Sequence, residues 1–145
     1  MSNEAKAYLE QIRNIETKIR HLGVEKRRWF DLATNITPNM SSERVQSSGS
    51  NSRMADTIIN GILDDGKIDE RIAALKAQRQ EIIDTIESLS ELYSDILHRV
   101  YVEYQTLKEV AAERKQTYSW ITTAHGLALK AVADILESRK ATECN

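Results

Sequence analysis

Two stretches of this chain repeat apolar residues in alternating steps of four and three, and that rhythm excludes most folds. In the first, Tyr8, Ile12, Ile15, Ile19 and Leu22 are followed by Trp29, Ala33 and Ile36, with Lys26 the one polar intrusion. In the second, Ile68, Ile72 and Leu75 lead to Ile82, Ile86, Leu89 and Tyr93, with Arg79 at one seam position. Such steps place every apolar side chain on one narrow stripe of a helix, whereas a strand would alternate at every second residue. The spacing predicts one helix over residues 4–36 and another over 54–89. Neither can bury its seam alone, so the two are expected to fold back as an antiparallel, coiled-coil-like hairpin. Ile12, Ile15, Ile19, Leu22, Ile72, Leu75, Ile82 and Ile86 form the expected hairpin and oligomer seam. Lys26 and Arg79 would need acidic partners or a wet position there, and polar seam residues set register or oligomer number. Gly23 weakens the first helix by about 1 kcal/mol relative to alanine. Asp64-Asp65-Gly66, after the apolar group Ile58, Ile59, Ile62 and Leu63, reads as a kink or short break.

Residues 37–53 differ in kind. They hold the sole proline, six serines and a glycine with no apolar periodicity, and should form a flexible loop between the two long helices. At 145 residues the chain has room for one modest domain and an extension, and 6% aromatic with 29% charged residues fits an all-α protein. A formal charge of −2 and a pI near 6.0 argue against a general polyanion binder. The run Lys26-Arg27-Arg28 is the densest positive cluster; it reads as a solvated helix face before it reads as a phosphate or partner contact. Cys144 is the only cysteine, which suits a reducing compartment. No apolar run approaches the roughly 18 residues that span a bilayer and no signal-peptide core follows Met1, so a soluble, cytoplasmic protein is expected. His21, His98 and His125 are scattered without ligand or triad spacing, and no glycine-rich phosphate loop is present. Asp64, Asp65, Asp69 and Glu70 do not fit a calcium loop and read as an acidic surface. Neither an enzyme, a cofactor nor a metal is expected.

The last third of the chain carries the clearest local signals. Ser88 with Glu91 reads as a capping box, placing a helix start at Ser88 or Ser90, and Ile96, Leu97, Val100 and Tyr101 supply the inner face of a helix from Leu92 to Glu103. Thr106 with Glu109 forms a second capping box ahead of Leu107, Val110 and Ala111. Lys115-Gln116 is a turn. Thr117 or Ser119 then caps a longer helix whose Ile121, Ala124, Ala128, Leu129 and Val132 share one stripe. A short capped helix, a tight turn and a longer amphipathic helix make a helix-turn-helix, and the preceding helix would close its core. The expected domains are a hairpin at 1–90, a three-helix helix-turn-helix tail at 91–138, and a frayed end at 139–145.

Thr106-Leu107-Lys108-Glu109-Val110-Ala111, then Thr117 and Ile121, then Ala128-Leu129, is similar without gaps to the region-4 helix-turn-helix of bacterial sigma factors. Their pattern runs roughly T-L-E-E-I-G, V-T-x-x-x-I, K-A-L. From about Leu9 to Leu136 the chain also resembles small phage and prophage proteins of Gram-positive bacteria, among them the ArpU-type late transcription regulators. The front half of that resemblance is carried by pattern and by Ala33-Thr34-Asn35-Ile36-Thr37-Pro38. The resemblance implies a transcription regulator of the host bacterial cytoplasm associated with double-stranded DNA or RNA polymerase, and the coiled hairpin adds the expectation of a homo-oligomer. Carried onto this chain, it marks Arg114, Lys115, Thr117, Tyr118, Ser119, Thr122 and Thr123 as DNA-binding candidates. The chain departs from the pattern in two respects. None of Tyr118, Ser119, Trp120, Thr122, Thr123 and Leu127 is basic, although guanine readout favours Arg or Lys. Arg114-Lys115-Gln116 also stands where sigma factors have an aromatic, a glycine and a valine, and a left-handed Lys115 would cost about 1 kcal/mol. Seven Lys/Arg balance seven Asp/Glu between Ser94 and Asn145, which predicts weak non-specific affinity. Three functions follow: a DNA-binding regulator dimerised by the hairpin, a module docking on RNA polymerase or another regulator without reading DNA, and a structural coiled coil with a folded cap.

Overall fold

A computed structural model describes residues 2–35 and 48–144, and every described element is helical. The order is α1 (Ser2–Asn35), α2 (Ser48–Glu87), α3 (Glu91–Leu97), a π-helical turn (His98–Val102), α4 (Leu107–Arg114) and α5 (Tyr118–Glu143). The chain is all-α, as the four-three rhythm requires. Backbone contacts divide it into two compact units: residues 1–16 with 77–145, and residues 17–76. The division therefore runs through both long helices, where the sequence suggested a boundary near residue 90.

In the larger unit the start of α1 and the end of α2 run antiparallel. Tyr8 Oη lies 3.2 Å from Thr85 Oγ1, and Arg79 Nε donates to Glu16 Oε1 at 2.8 Å. The acidic partner that Arg79 needed on the seam is thus Glu16, which also accepts from the Tyr104 hydroxyl. Leu9, Ile12, Ile15, Ile82 and Ile86 are buried in this unit. Against them lies the end of α5. Arg139 donates to Thr85 Oγ1 at 2.8 Å and to Tyr8 Oη at 3.2 Å, and Lys140 pairs with Glu4. The expected frayed end at 139–145 is corrected accordingly: α5 continues to Glu143 because partners distant in sequence hold it. Thr85, a polar side chain only 1% exposed, is satisfied by Arg139 and by donating to Glu81 O.

The smaller unit contains the rest of the two long helices. Lys26 Nζ donates to Asp69 Oδ1 at 2.7 Å, and Lys18, His21 and Leu22 flank a shallow groove opposite Arg71, Ala74 and Leu75. Here too the segments run antiparallel, and the seam cation has its carboxylate. Ile68 is buried, whereas Ile19, Leu22, Ile72 and Leu75 are half-buried, because two helices cover only their facing sides.

Three local expectations are corrected. Of the loop at 37–53, residues 48–53 are the first turns of α2, since a formed helix gains one hydrogen bond for each residue added. Residues 37–47, and Ile36 of the first seam, lie outside the described residues. Asp64-Asp65-Gly66 is continuous helix, the cost of one glycine (about 1 kcal/mol) being too small to break it. The box at Ser88 and Glu91 does not form: Ser88 Oγ donates back to Thr85 O at 2.7 Å, and Ser90, in extended backbone, precedes α3 without a side-chain cap.

Candidate nucleic-acid interface

The helix-turn-helix is built from its caps inward. Thr106 Oγ1 accepts from Glu109 N at 3.2 Å while Glu109 Oε2 accepts from Thr106 N at 3.0 Å, closing the capping box. α4 buries Val110 and Ala111, and the small Ala111 lets α4 and α5 approach closely. The helix ends at Lys115, in left-handed backbone with φ 56° and ψ 44°. Its N–H donates to Ala112 O at 3.3 Å, and Gln116 N donates to Ala111 O at 2.9 Å, so the turn satisfies two of the carbonyls that the helix end exposes. Thr117 then caps α5, accepting from Trp120 N at 3.1 Å. Ile121 and Ala124 join Ile96, Val110 and Ala111 in one core, with Leu92, Val100 and Leu107 packed against it. Five positions read as the inner stripe of α5, Ile121, Ala124, Ala128, Leu129 and Val132, are all buried.

That inner stripe determines what faces solvent. Lys115, Thr117, Tyr118, Ser119, Thr122 and Thr123 are exposed and cluster at the turn and the first two turns of α5. The Thr122 hydroxyl donates to Tyr118 O at 2.8 Å, so its oxygen remains available to accept. Arg114 is different. It is half-buried and donates to Asp95 Oδ2 on α3, which also accepts from Arg99 Nε at 2.9 Å. Arg99 in turn pairs with Glu113. This four-membered network locks α3 to the end of α4 and removes Arg114 from the exposed set expected from the sequence. Burial works against the Asp95 charge, but hydrogen bonds from Arg114 and Arg99 outweigh it and hold the carboxyl below its ordinary value.

A second exposed surface adjoins the first. Ser119, Trp120, Thr123 and Leu127 line one side of an open groove of about 440 Å³, and Leu92 and Tyr93 of α3 line the other. Trp120 is 41% and Leu127 49% exposed, large values for such apolar side chains. The signal was present in their spacing of seven, which puts both on one side of α5.

Of the three histidines, His21 is exposed and His98 lies 3.4 Å from Glu103. His125 stacks on Tyr101, with ring centroids 5.8 Å apart, and its Nε2 lies 3.0 Å from the Tyr101 hydroxyl. Among the described residues, no group of three or more His, Cys, Asp or Glu side chains could hold a metal ion. No described helix is long and apolar enough to cross a membrane. Compared with known proteins, the chain matches no protein-family model, no curated sequence and no solved structure.

Proposed function

We propose that this protein is a transcription regulator of the phage or prophage type that lays the start of α5 in the major groove of double-stranded DNA. One observation carries the reading. A capped helix, a left-handed turn and a second capped helix leave Tyr118, Ser119, Thr122 and Thr123 on a solvent-facing surface while the opposite stripe of α5 is consumed by the core. Recognition helices present the residues near their N-termini to base edges in this way. Ser and Thr reach bases or phosphates, and the Thr methyl suits thymine.

The electrostatics make the contact weak for a single copy. The larger unit holds ten Lys/Arg against fourteen Asp/Glu, and Arg114 is already committed to Asp95. Lys108 and Lys115 are the exposed cations nearest the turn. A homo-oligomer formed through the half-buried part of the hairpin seam, Ile19, Leu22, Ile72 and Leu75, supplies the missing affinity, because a second tethered contact binds at high effective concentration. With two such cations in each of two copies, log K should fall with log salt at a slope of about −3 to −4.

A second reading is favoured by the groove beside Trp120 and Leu127. An apolar patch between α3 and α5 suits a protein partner such as RNA polymerase, approached by a fold that does not read DNA. Gel shifts with DNA from the protein's own genetic neighbourhood, across a salt series and with unrelated DNA as competitor, separate the two. The DNA reading expects a specific complex abolished by Thr122→Glu and little changed by Trp120→Ala. No specific complex at micromolar protein, together with a polymerase pull-down lost in Trp120→Ala, overturns it in favour of the second.

A further inference from the structure

A cleft of about 430 Å³ opens in the larger unit between the start of α1, the π-helical turn and the middle of α5. Its size falls within the range of small-molecule sites, roughly 300–1,000 Å³. Lys6, Glu10, Arg13 and Asn14 share one face of α1 and supply its polar rim. Val100 and Leu107 add apolar lining. Two flat surfaces complete it: the stacked pair of Tyr101 and His125, and the ring of Tyr104, over which the Arg13 guanidinium carbon sits 4.5 Å from the centroid.

The backbone that presents these rings is unusual. The helix leaving α3 widens into a π-turn over His98–Val102, and Tyr104 then adopts left-handed backbone at φ 58°. Non-glycine residues rarely adopt that region, and π-turns and strained residues concentrate where a side chain must be aimed at a ligand. Here both bring tyrosines to the same cleft. The backbone is held in place by Glu103 N donating to His98 O at 3.0 Å and Gln105 N to Arg99 O at 2.9 Å.

From this combination we infer that the cleft binds a small aromatic anion, a flat ring carrying one carboxylate or phosphate. Lys6 takes the anionic group through a charge-assisted hydrogen bond, and the Arg13 guanidinium, already lying over the Tyr104 ring, adds positive charge beside it. The less buried rings, His125 backed by Tyr101 and the exposed Tyr104, take the flat body. Glu10 accepts from a ring hydroxyl or amine. Burial, and then the nearby Lys6 charge, depress the His125 pKa, so the imidazole is neutral at physiological pH. Burial, with Glu10 adding to it, pushes Tyr101 up to about 12, so the hydroxyl that lies 3.0 Å from His125 Nε2 stays protonated. An anion seated between Lys6 and the ring stack would counter the Lys6 charge and favour the protonated imidazole, raising the His125 pKa. Leu107 opens α4 and His125 belongs to α5, so an occupant would contact both helices of the helix-turn-helix and act as an effector. The site stands whether or not α5 reads DNA.

The test is calorimetry on the full chain with two probes, adenosine monophosphate for the phosphate source and 4-aminobenzoate for the carboxylate source, and inorganic phosphate as a third arm. One aromatic probe should saturate with submillimolar affinity, and Lys6→Gln should weaken it roughly tenfold, the scale of a lost charge-assisted contact. Lys6 is exposed, so this variant leaves the fold intact; Arg13→Gln provides the second measurement. The His125 ring resonances should titrate at higher pH with the probe bound. Absence of saturation in both aromatic arms, binding unchanged in both variants, an unmoved His125 titration, or inorganic phosphate binding as tightly as either probe would each overturn the assignment.

Discussion

Replacing Asp95 by Asn tests the network that orients the helix-turn-helix. Asp95 sits on α3 and accepts from Arg99 of the following π-turn and from Arg114 at the end of α4. A hydrogen bond to a charged group contributes about 1.5–3 kcal/mol when fully shielded. The three side chains are 27–32% exposed, so solvent screening reduces each bond to about 1 kcal/mol, and Asp95→Asn should cost about 1–2 kcal/mol. For a chain of this size that is a fall of roughly 2–8 °C in Tm. The sign with pH follows from the depressed pKa of Asp95. The native state holds the carboxylate more strongly than the unfolded chain does, so the contribution is complete above the unfolded value near 4 and disappears as pH falls through the native value. Thermal and urea melts of Asp95→Asn, Arg114→Gln and the double variant should give a positive coupling at pH 7, with wild type and Asp95→Asn converging in acid. A coupling below about 0.3 kcal/mol, or an undiminished difference at the lowest pH, would refute the claim that this network orients α4.

Three further outcomes follow from single residues and can be read in the same melts. Thr106→Ala opens the capping box and should cost about 1 kcal/mol, with Glu109→Ala adding less on top of it than alone. Lys115→Gly relieves the left-handed strain at φ 56° and, after the extra chain entropy of glycine, should leave the protein more stable by up to about 1 kcal/mol. A β-carbon at Gly126 meets nothing within 4 Å on this exposed helical face, so Gly126→Ala should add about 0.5–1 kcal/mol of stability.

Much of the helical architecture is written in short-range pattern. The four-three steps place Ile12, Ile15, Ile82 and Ile86 on a buried seam, and the stripe from Ile121 to Val132 is buried at every position named. The Thr106 box, the left-handed Lys115 and the Thr117 cap were equally legible. Each depends on partners within four residues, so the local sequence contains both sides of the interaction. For Lys26 and Arg79 the pattern left two options, an acidic partner or a wet position, and the structure supplies Asp69 and Glu16.

What the pattern could not settle are choices between equivalent local states. An arginine at position 114 looks the same whether it faces phosphate or Asp95, 19 residues away. The segment after Leu136 has no seam of its own, and its helix persists because Arg139 finds Thr85 across 54 residues and Lys140 finds Glu4 across 136. The cleft joining Lys6, Tyr104 and His125 draws on three distant segments and on a π-turn that no local spacing announces. By itself the sequence determined the long helices and the helix-turn-helix, the capping box at Thr106 and the stripe that α5 buries, since hydrogen bonds and periodicity act over one or two turns. Only the tertiary structure decided which charged and aromatic side chains are consumed by partners and which remain to meet a ligand, because that depends on the free energy of contacts between segments far apart in the chain.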